Sequence, residues 1–179
     1  MSRRVILVDY DPQWPAAYAA ERQRLLEAIG LWLLAVEHIG STAVPGLAAK
    51  PTIDIMVAVR HLSHAVHCRE PLRALGYEYV PEAERFIPER RYFRKVHGEK
   101  DTHHLHMVVY DSSFWRRHLL FRDYLRAHPA TAQEYALLKQ ELAARFANDV
   151  AAYTEAKTAF IRRVESEAAR WSASGRLPE

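Results

Sequence analysis

The chain has little of several features that would identify a class of protein at once. It contains one cysteine, Cys68, in 179 residues, so a disulfide framework and a paired-cysteine metal site are both excluded. No apolar run approaches the roughly 20 residues that a membrane span needs. The N-terminal apolar run is also too short for a signal peptide, and we therefore expect a cytoplasmic protein with no membrane partner.

The net charge is also small, at +3 from 25 Lys and Arg against 22 Asp and Glu. Proteins that bind nucleic acid through charge carry denser basic patches, so the balance disfavours nucleic acid and suits a small anionic ligand. Hydrophobic residues make up 49% of the chain, which predicts a globular domain with a core of its own.

The order of the patterned segments predicts an α/β (α+β) fold, with a mixed β-sheet, flanking helices and a C-terminal helical segment. We predict one domain over residues 1–171, with its sheet in 1–111 and its helical part in 112–171, followed by a polar tail at 172–179. Strands are predicted near 31–39, 52–59, 77–80, 92–96 and 103–110, and helices near 12–29, 61–75, 113–127, 130–146 and 149–171.

The most informative stretch is HIGSTAVPGLAAKPTIDIM, residues 38–56, in which a Gly-Ser pair follows an apolar run. Gly40 lets the backbone approach a ligand closely, while Ser41 and the N–H groups after it suit phosphate oxygens. The alternative is an ordinary tight turn, which uses the same residue types. The pair alone leaves both interpretations open.

Asp54 makes the first interpretation stronger, because it stands alone inside an apolar strand pattern. A carboxylate there costs free energy unless it is paired or bound to a cation. Magnesium is typically held by one or two carboxylates together with substrate phosphates, so Asp54 after a Gly-Ser turn is typical of a phosphate and metal site. The alternative is an ion pair with a buried basic residue such as Lys50.

His104 and His106 stand two residues apart and so share one face of a predicted strand. That spacing suits a metal site or a pair of groups that hold a phosphate, since imidazole serves as ligand, base or anion partner. The alternative is that both rings are simply packed and hydrogen-bonded.

Two groups of cations complete the pattern. Arg94 belongs to a basic segment, residues 85–95, that either supplies charge to a phosphate or protects an edge strand. Lys157 interrupts the apolar stripe of the last predicted helix, and Lys139 does the same on the helix before it. A cation on an inward face either extends outward to solvent or meets an anion.

Together these segments resemble the GrpB family, small bacterial proteins placed in the nucleotidyltransferase superfamily that includes DNA polymerase beta. The resemblance rests on HIGSTAVPGLAAKPTIDI, THHLHMVVY, FWRRHLLFRDYLRAHP and YTEAKTAFI, which span nearly the whole chain. It implies a nucleotidyltransferase-like fold and the metal-dependent transfer of a nucleotidyl or phosphoryl group from a nucleoside triphosphate to an unknown acceptor. It also implies a divalent metal, Mg²⁺ or Mn²⁺, with Zn²⁺ as the softer alternative.

The chain departs from the superfamily pattern, which has Gly-Ser, then Asp-x-Asp/Glu, then a third carboxylate on a later strand. Met56 takes the second carboxylate position, and the third falls on the strand that carries the two histidines. The alternative function is therefore a catalytically inactive nucleotide-binding or adaptor module. We expect Asp54, His104 and His106 to be catalytic and metal-binding, and Gly40, Ser41, Thr42, Lys50, Arg94 and Lys157 to bind a nucleotide or other phosphorylated small molecule.

Overall fold

The computed structural model describes residues 5–175, and its centre is a five-stranded sheet. The strands are β1 Leu33–Ile39, β2 Ile53–Val59, β3 Tyr77–Tyr79, β4 Arg90–His97 and β5 Lys100–Val109. Their order across the sheet is β1-β2-β5-β4-β3, with β2 and β5 parallel and the other neighbours antiparallel. The predicted mixed sheet is confirmed.

Helices cover both faces of this sheet. They are α1 Trp14–Ile29, α2 Ala65–Ala74, α3 Ser113–Ala127, α4 Pro129–Arg145, α5 Val150–Ala156 and α6 Thr158–Ala173. Helices α1 and α2 pack on one face in the largest apolar cluster, and Phe114 and Trp115 of α3 pack on the other face. Within residues 5–175, no helix has both the length and the apolar character that crossing a membrane requires.

Strand β2 runs through the interior of the sheet, and each of its residues is buried except Asp54. Asp54 lies near the start of the strand, beside Ile39 of β1 and His104 of β5. Met56, on the same face of β2, is 0% exposed and belongs to the apolar cluster that includes Phe114. The packing of α3 against Met56 therefore makes this face of β2 apolar beyond Asp54.

The C-terminal helices differ from the prediction at two points. The single helix predicted over 149–171 is broken at Lys157, where the N–H bonds to the carbonyl of Thr154 in a tighter turn, 3.4 Å away. Helix α6 also continues to Ala173, so the polar tail predicted from residue 172 begins too early; residues 176–179 lie outside the described part of the chain.

The first residues of two elements also differ from the prediction. Helix α1 begins at Trp14, and Asp11 accepts a hydrogen bond from the Gln13 N–H, 2.8 Å away, instead of capping a helix that starts at residue 12. Strand β4 begins at Arg90, two residues before its predicted start. The extent of the domain, residues 1–171, stays a prediction.

Candidate functional site

A cleft of about 230 Å³ opens between one end of the sheet and the C-terminal helices. Six of the nine predicted site residues line it: Ser41, Thr42, Lys50, Asp54, His104 and Lys157. They come from the turn after β1, the loop before β2, the strands β2 and β5, and the break between α5 and α6. Lys139 of α4 and Tyr153 of α5 complete the opposite wall.

The turn after β1 depends on Gly40, whose φ of +73° lies in the left-handed region that favours glycine. A Cβ at this position would also lie 3.0 Å from the Cβ of Asp54, closer than side-chain carbons normally approach. Gly40 therefore brings the backbone against the carboxylate. Ser41 and Thr42 follow in a short 3₁₀ turn at the mouth of the cleft.

Thr42 is buried, and its Oγ1 lies 3.0 Å from Nε2 of His38. Burial lowers the pKa of His38 to about 4, so the ring is neutral at physiological pH and supports the turn without adding charge.

His104 connects two carboxylates. Its Nδ1 lies 3.0 Å from Oδ1 of Asp54, and its Nε2 lies 3.5 Å from Oδ2 of Asp101. Burial acts to lower the pKa of His104, but the hydrogen bond and charge of Asp54 outweigh it, and the pKa is raised. Because both ring nitrogens face carboxylate oxygens, the arrangement favours the imidazolium form, which donates from both.

His106 has the opposite protonation pattern. Its Nδ1 lies 3.1 Å from a terminal nitrogen of Arg90, and a guanidinium can only donate, so Nδ1 accepts. The ring proton is therefore on Nε2, which lies 3.7 Å from Oδ1 of Asp54. Burial lowers the pKa of His106, in agreement with a neutral ring.

Asp54 is held ionised by these two rings. Burial acts to raise the pKa of Asp54, but the hydrogen bond from His104 and the nearby ring of His106 hold it well below its usual range. The side chain is still 28% exposed, so the carboxylate is open to the cleft. The alternative pairing of Asp54 with Lys50 is not observed, since the ion-pair partners of this carboxylate are the histidines.

The predicted metal ligands do not fit this hydrogen-bond arrangement. A metal needs the lone pair of an imidazole, yet Nδ1 of His106 is engaged by Arg90 and both nitrogens of His104 face carboxylates. In the part of the chain from 5 to 175, no three His, Cys, Asp or Glu side chains are arranged to hold one ion. Of the three predicted ligands, only Asp54 keeps an oxygen that can bind a hard cation.

Three lysines surround the cleft. Lys139 is 2% exposed, and its Nζ donates to the Ser41 Oγ, 3.0 Å away, and to the carbonyl of Ala48. Lys157 and Lys50 lie over the ring of Tyr153, with Nζ 4.3 Å and 5.0 Å from its centroid. Among the described residues, no carboxylate forms an ion pair with any of the three lysines.

The pKa values of these lysines follow from their surroundings. Burial, with a contribution from the charge of Lys157, lowers the pKa of Lys139 to about 7. Burial, with the charge of Lys50, lowers the pKa of Lys157 to about 8. Burial also lowers the pKa of Lys50. An anion bound in the cleft would stabilise the protonated form of these lysines.

Arg94 is not brought to the cleft. Its guanidinium pairs with Glu78 of the neighbouring strand, with a nitrogen–oxygen distance of 3.1 Å. Its basic neighbour Arg91 pairs with Glu84 at 3.2 Å, so the arginines of this segment pair with local acids. Strand β4 lies between β5 and β3, so the edge-strand alternative does not describe it.

Two site residues were missing from the predicted set. The sequence did indicate Lys139, because it interrupts an apolar helical stripe as Lys157 does. Arg90 belongs to the predicted basic segment, but its contact with His106 depends on how β4 pairs with β5.

Comparisons with known proteins identify a family that the chain matches. The family model described as "GrpB protein" matches residues 4–167. UPF0157 protein YqkA of Bacillus subtilis is 42% identical over 169 residues, which cover 94% of this chain and 48% of that protein. This chain thus spans about half the length of that relative.

Two solved structures are also similar. The crystal structure of the conserved protein GrpB from Enterococcus faecalis is 40% identical, has a TM-score of 0.84, and aligns over 92% of this chain and 98% of that chain. The structure of Cid1 in complex with the UTP analogue UMPNPP is 15% identical with a TM-score of 0.40, over 83% of this chain and 48% of that one.

Proposed function

The chain belongs to the GrpB family, and from that premise we propose that it binds a nucleotide in the cleft and transfers its nucleotidyl or phosphoryl group to an acceptor. The observation that carries the proposal is the pair Lys50 and Lys157, which faces an ionised Asp54 across one cavity and forms no ion pair with a carboxylate in the described part of the chain. A cluster of cations that the described chain leaves uncompensated suits a phosphorylated small molecule.

Each group then has a distinct task. Lys50 and Lys157 neutralise the phosphate charge, and the turn at Ser41 and Thr42 holds phosphate oxygens. Asp54, kept ionised by its histidine contacts, orients the acceptor hydroxyl. Phosphoryl chemistry depends mainly on positioning and on neutralising charge, and this arrangement is suited to both. Arg94 is left out of this set because it pairs with Glu78.

The metal dependence stays a separate prediction. Mg²⁺, Mn²⁺ and Zn²⁺ remain to be tested, and no step of the proposal depends on them. The hydrogen bonds of His104 and His106 argue that the protein ligand of any such ion is Asp54, with the rest supplied by the substrate and water.

A second candidate function is a nucleotide-binding module that performs no chemistry. Met56 favours it, because a fully buried thioether stands where the superfamily has a second carboxylate. This module would bind nucleotides with little dependence on a divalent cation and would form no product.

Calorimetry with ATP, GTP, CTP and UTP, each with and without Mg²⁺ or Mn²⁺, tests binding, and a pyrophosphate or phosphate release assay tests transfer. We expect at least one nucleotide to bind and Asp54→Asn to lower turnover at least about 100-fold while the fold survives. Asp111 is an exposed carboxylate just before α3, so Asp111→Asn is the matched control and should retain activity.

The outcomes separate the two candidate functions. Binding without product supports the inactive module, and unchanged turnover in Asp54→Asn removes the proposed role of that carboxylate. Failure of every nucleotide to bind contradicts both functions.

A further inference from the structure

The contact between Ser41 and Lys139 joins a buried amine to a serine hydroxyl at the edge of the cleft. Lys139 Nζ lies 3.0 Å from Ser41 Oγ and also contacts the carbonyl of Ala48, and the lysine is 2% exposed. The two residues are 98 positions apart in sequence, on α4 and on the turn after β1. A buried lysine at hydrogen-bond distance from a serine hydroxyl is the arrangement in which an amine activates a serine nucleophile.

The surroundings of Lys139 favour the neutral amine that such a role needs. No carboxylate pairs with it among the described residues, while Lys157 lies close enough to oppose a second positive charge. Its pKa, lowered to about 7 chiefly by burial, supports the same conclusion. As a neutral amine it can donate to the Ala48 carbonyl and accept the Ser41 proton.

Ser41 is placed as a nucleophile would need to be. It follows Gly40, whose positive φ turns the chain sharply from β1 into a 3₁₀ turn, and it is only partly buried. The side chain borders the cleft that also holds Lys50 and Lys157. A strand-to-helical-turn junction is also where hydrolases expose their nucleophilic serine, although the surrounding fold differs.

We propose that Ser41 is a nucleophile activated by Lys139, and that it accepts a nucleotidyl group from a nucleoside triphosphate bound in the cleft. The Ser41 oxygen forms a bond to the α-phosphorus, and the bond from that phosphorus to the α,β-bridging oxygen breaks. Pyrophosphate leaves with the electron pair, and the hydroxyl proton passes to Lys139. The choice of a nucleotide as donor rests on the proposed function, whereas the reactivity of Ser41 does not.

The competing explanation is that Lys139 is a positive charge that helps Ser41 to hold phosphate. Lys139→Arg distinguishes the two, because arginine keeps the charge but cannot act as a base near neutral pH. Ser41→Ala removes the nucleophile with a minimal change in volume, and Lys100→Met, at an exposed lysine outside the cleft, controls for the loss of a lysine.

The first test uses an alkyl fluorophosphonate probe, a phosphorus electrophile that needs no nucleotide site. Intact mass and peptide mapping should show one phosphonyl group on Ser41 of the wild-type chain and none on Ser41→Ala. Labelling should be at least about 100-fold slower in Lys139→Arg and Lys139→Met and unchanged in Lys100→Met, since general-base assistance is typically of that size. Melting temperatures show which variants fold.

Two results overturn the proposal: no labelling of Ser41 in the wild-type chain, or equal rates in wild type and a folded Lys139→Arg variant. If both Lys139 variants fail to fold, the wild type and Ser41→Ala still decide whether Ser41 is reactive.

The second test adds a nucleoside triphosphate that calorimetry has shown to bind. The wild-type chain should gain the mass of one nucleoside monophosphate and release one pyrophosphate, and Ser41→Ala should do neither. Nucleotide binding without any Ser41 adduct or probe labelling contradicts the nucleophile and leaves the proposed function intact. Probe labelling of Ser41 with no nucleotide bound supports the nucleophile and contradicts the proposed function.

Discussion

The two faces of the sheet differ in whether a lysine packed against them has an acidic partner. On the face covered by α1, Lys95 of β4 reaches Glu21, with Nζ 2.9 Å from Oε1, and Glu21 is 3% exposed. On the cleft face, Lys139 of α4 contacts a hydroxyl and a carbonyl and no carboxylate within the described chain. Lys95 therefore has a carboxylate partner, and Lys139 has none in the part of the chain that the structure describes.

This difference distinguishes a structural ion pair from a lysine of the candidate site. The pKa of Glu21 is lowered although burial acts to raise it, because the contact with Lys95 outweighs burial. The pKa of Lys139 falls to about 7 because burial is not offset by a carboxylate. Burial of a lysine without a carboxylate partner disfavours its charged form, so the amine of Lys139 is open to a role other than a structural ion pair.

Removing Glu21, the acid that pairs with Lys95, should have the largest effect, and that effect is on stability. Glu21→Gln leaves Lys95 half-buried without a negative partner, and we expect the free energy of unfolding to fall by about 2 to 3 kcal/mol. Urea denaturation followed by circular dichroism measures the change. Glu70→Gln, whose ion pair with Arg73 is exposed, is the control and should change stability by less than about 0.5 kcal/mol. Equal effects in both variants would contradict the structural role of Glu21.

Removing a cleft lysine should instead affect binding. Lys157→Met should weaken nucleotide binding by about tenfold or more, since a charge-assisted contact contributes about 1.5 to 3 kcal/mol. Its free energy of unfolding should be unchanged or raised, because an uncompensated cation is lost. Calorimetry and urea denaturation measure the two effects, with Lys100→Met as the matched lysine control. A large loss of stability with unchanged affinity would place Lys157 among the structural charges.

The smallest effect expected is on the pH dependence of binding. Lysine is charged below its pKa and neutral above it, and the pKa of Lys157 is lowered to about 8. Phosphate groups have already lost most of their second proton at about pH 7. Nucleotide affinity should therefore fall a few-fold as the pH rises from about 7 to about 9, and calorimetry across that range checks it. Lys157→Met should show a weaker dependence, and an affinity that rises with pH would contradict a cationic site.

Much of the fold was predictable from local patterns. The helix over 113–127 and the strands around Asp54 and His104 follow from apolar periodicity and from turn residues at their ends. The break at Lys157 was not predictable, since the apolar stripe continues through it and only the tighter turn reveals it.

The candidate site was predictable in part. Asp54 and His104 were expected to meet, and the parallel pairing of β2 with β5 places them side by side. The protonation pattern that argues against imidazole metal ligands was not predictable, because it depends on Arg90 and Asp101 approaching the rings from β4 and from the start of β5.

The amino-acid sequence by itself determined which segments form strands and helices, and where a lone carboxylate interrupts an apolar strand, because periodicity and turn chemistry act between near neighbours in the chain. Tertiary structure decided which charges are compensated. Lys95 and Lys139 carry the same side chain, and neither has its partner nearby in the sequence. Only the packing of α1 against the sheet gives the first lysine an acid, and only the placement of α4 beside the turn after β1 gives the second a serine.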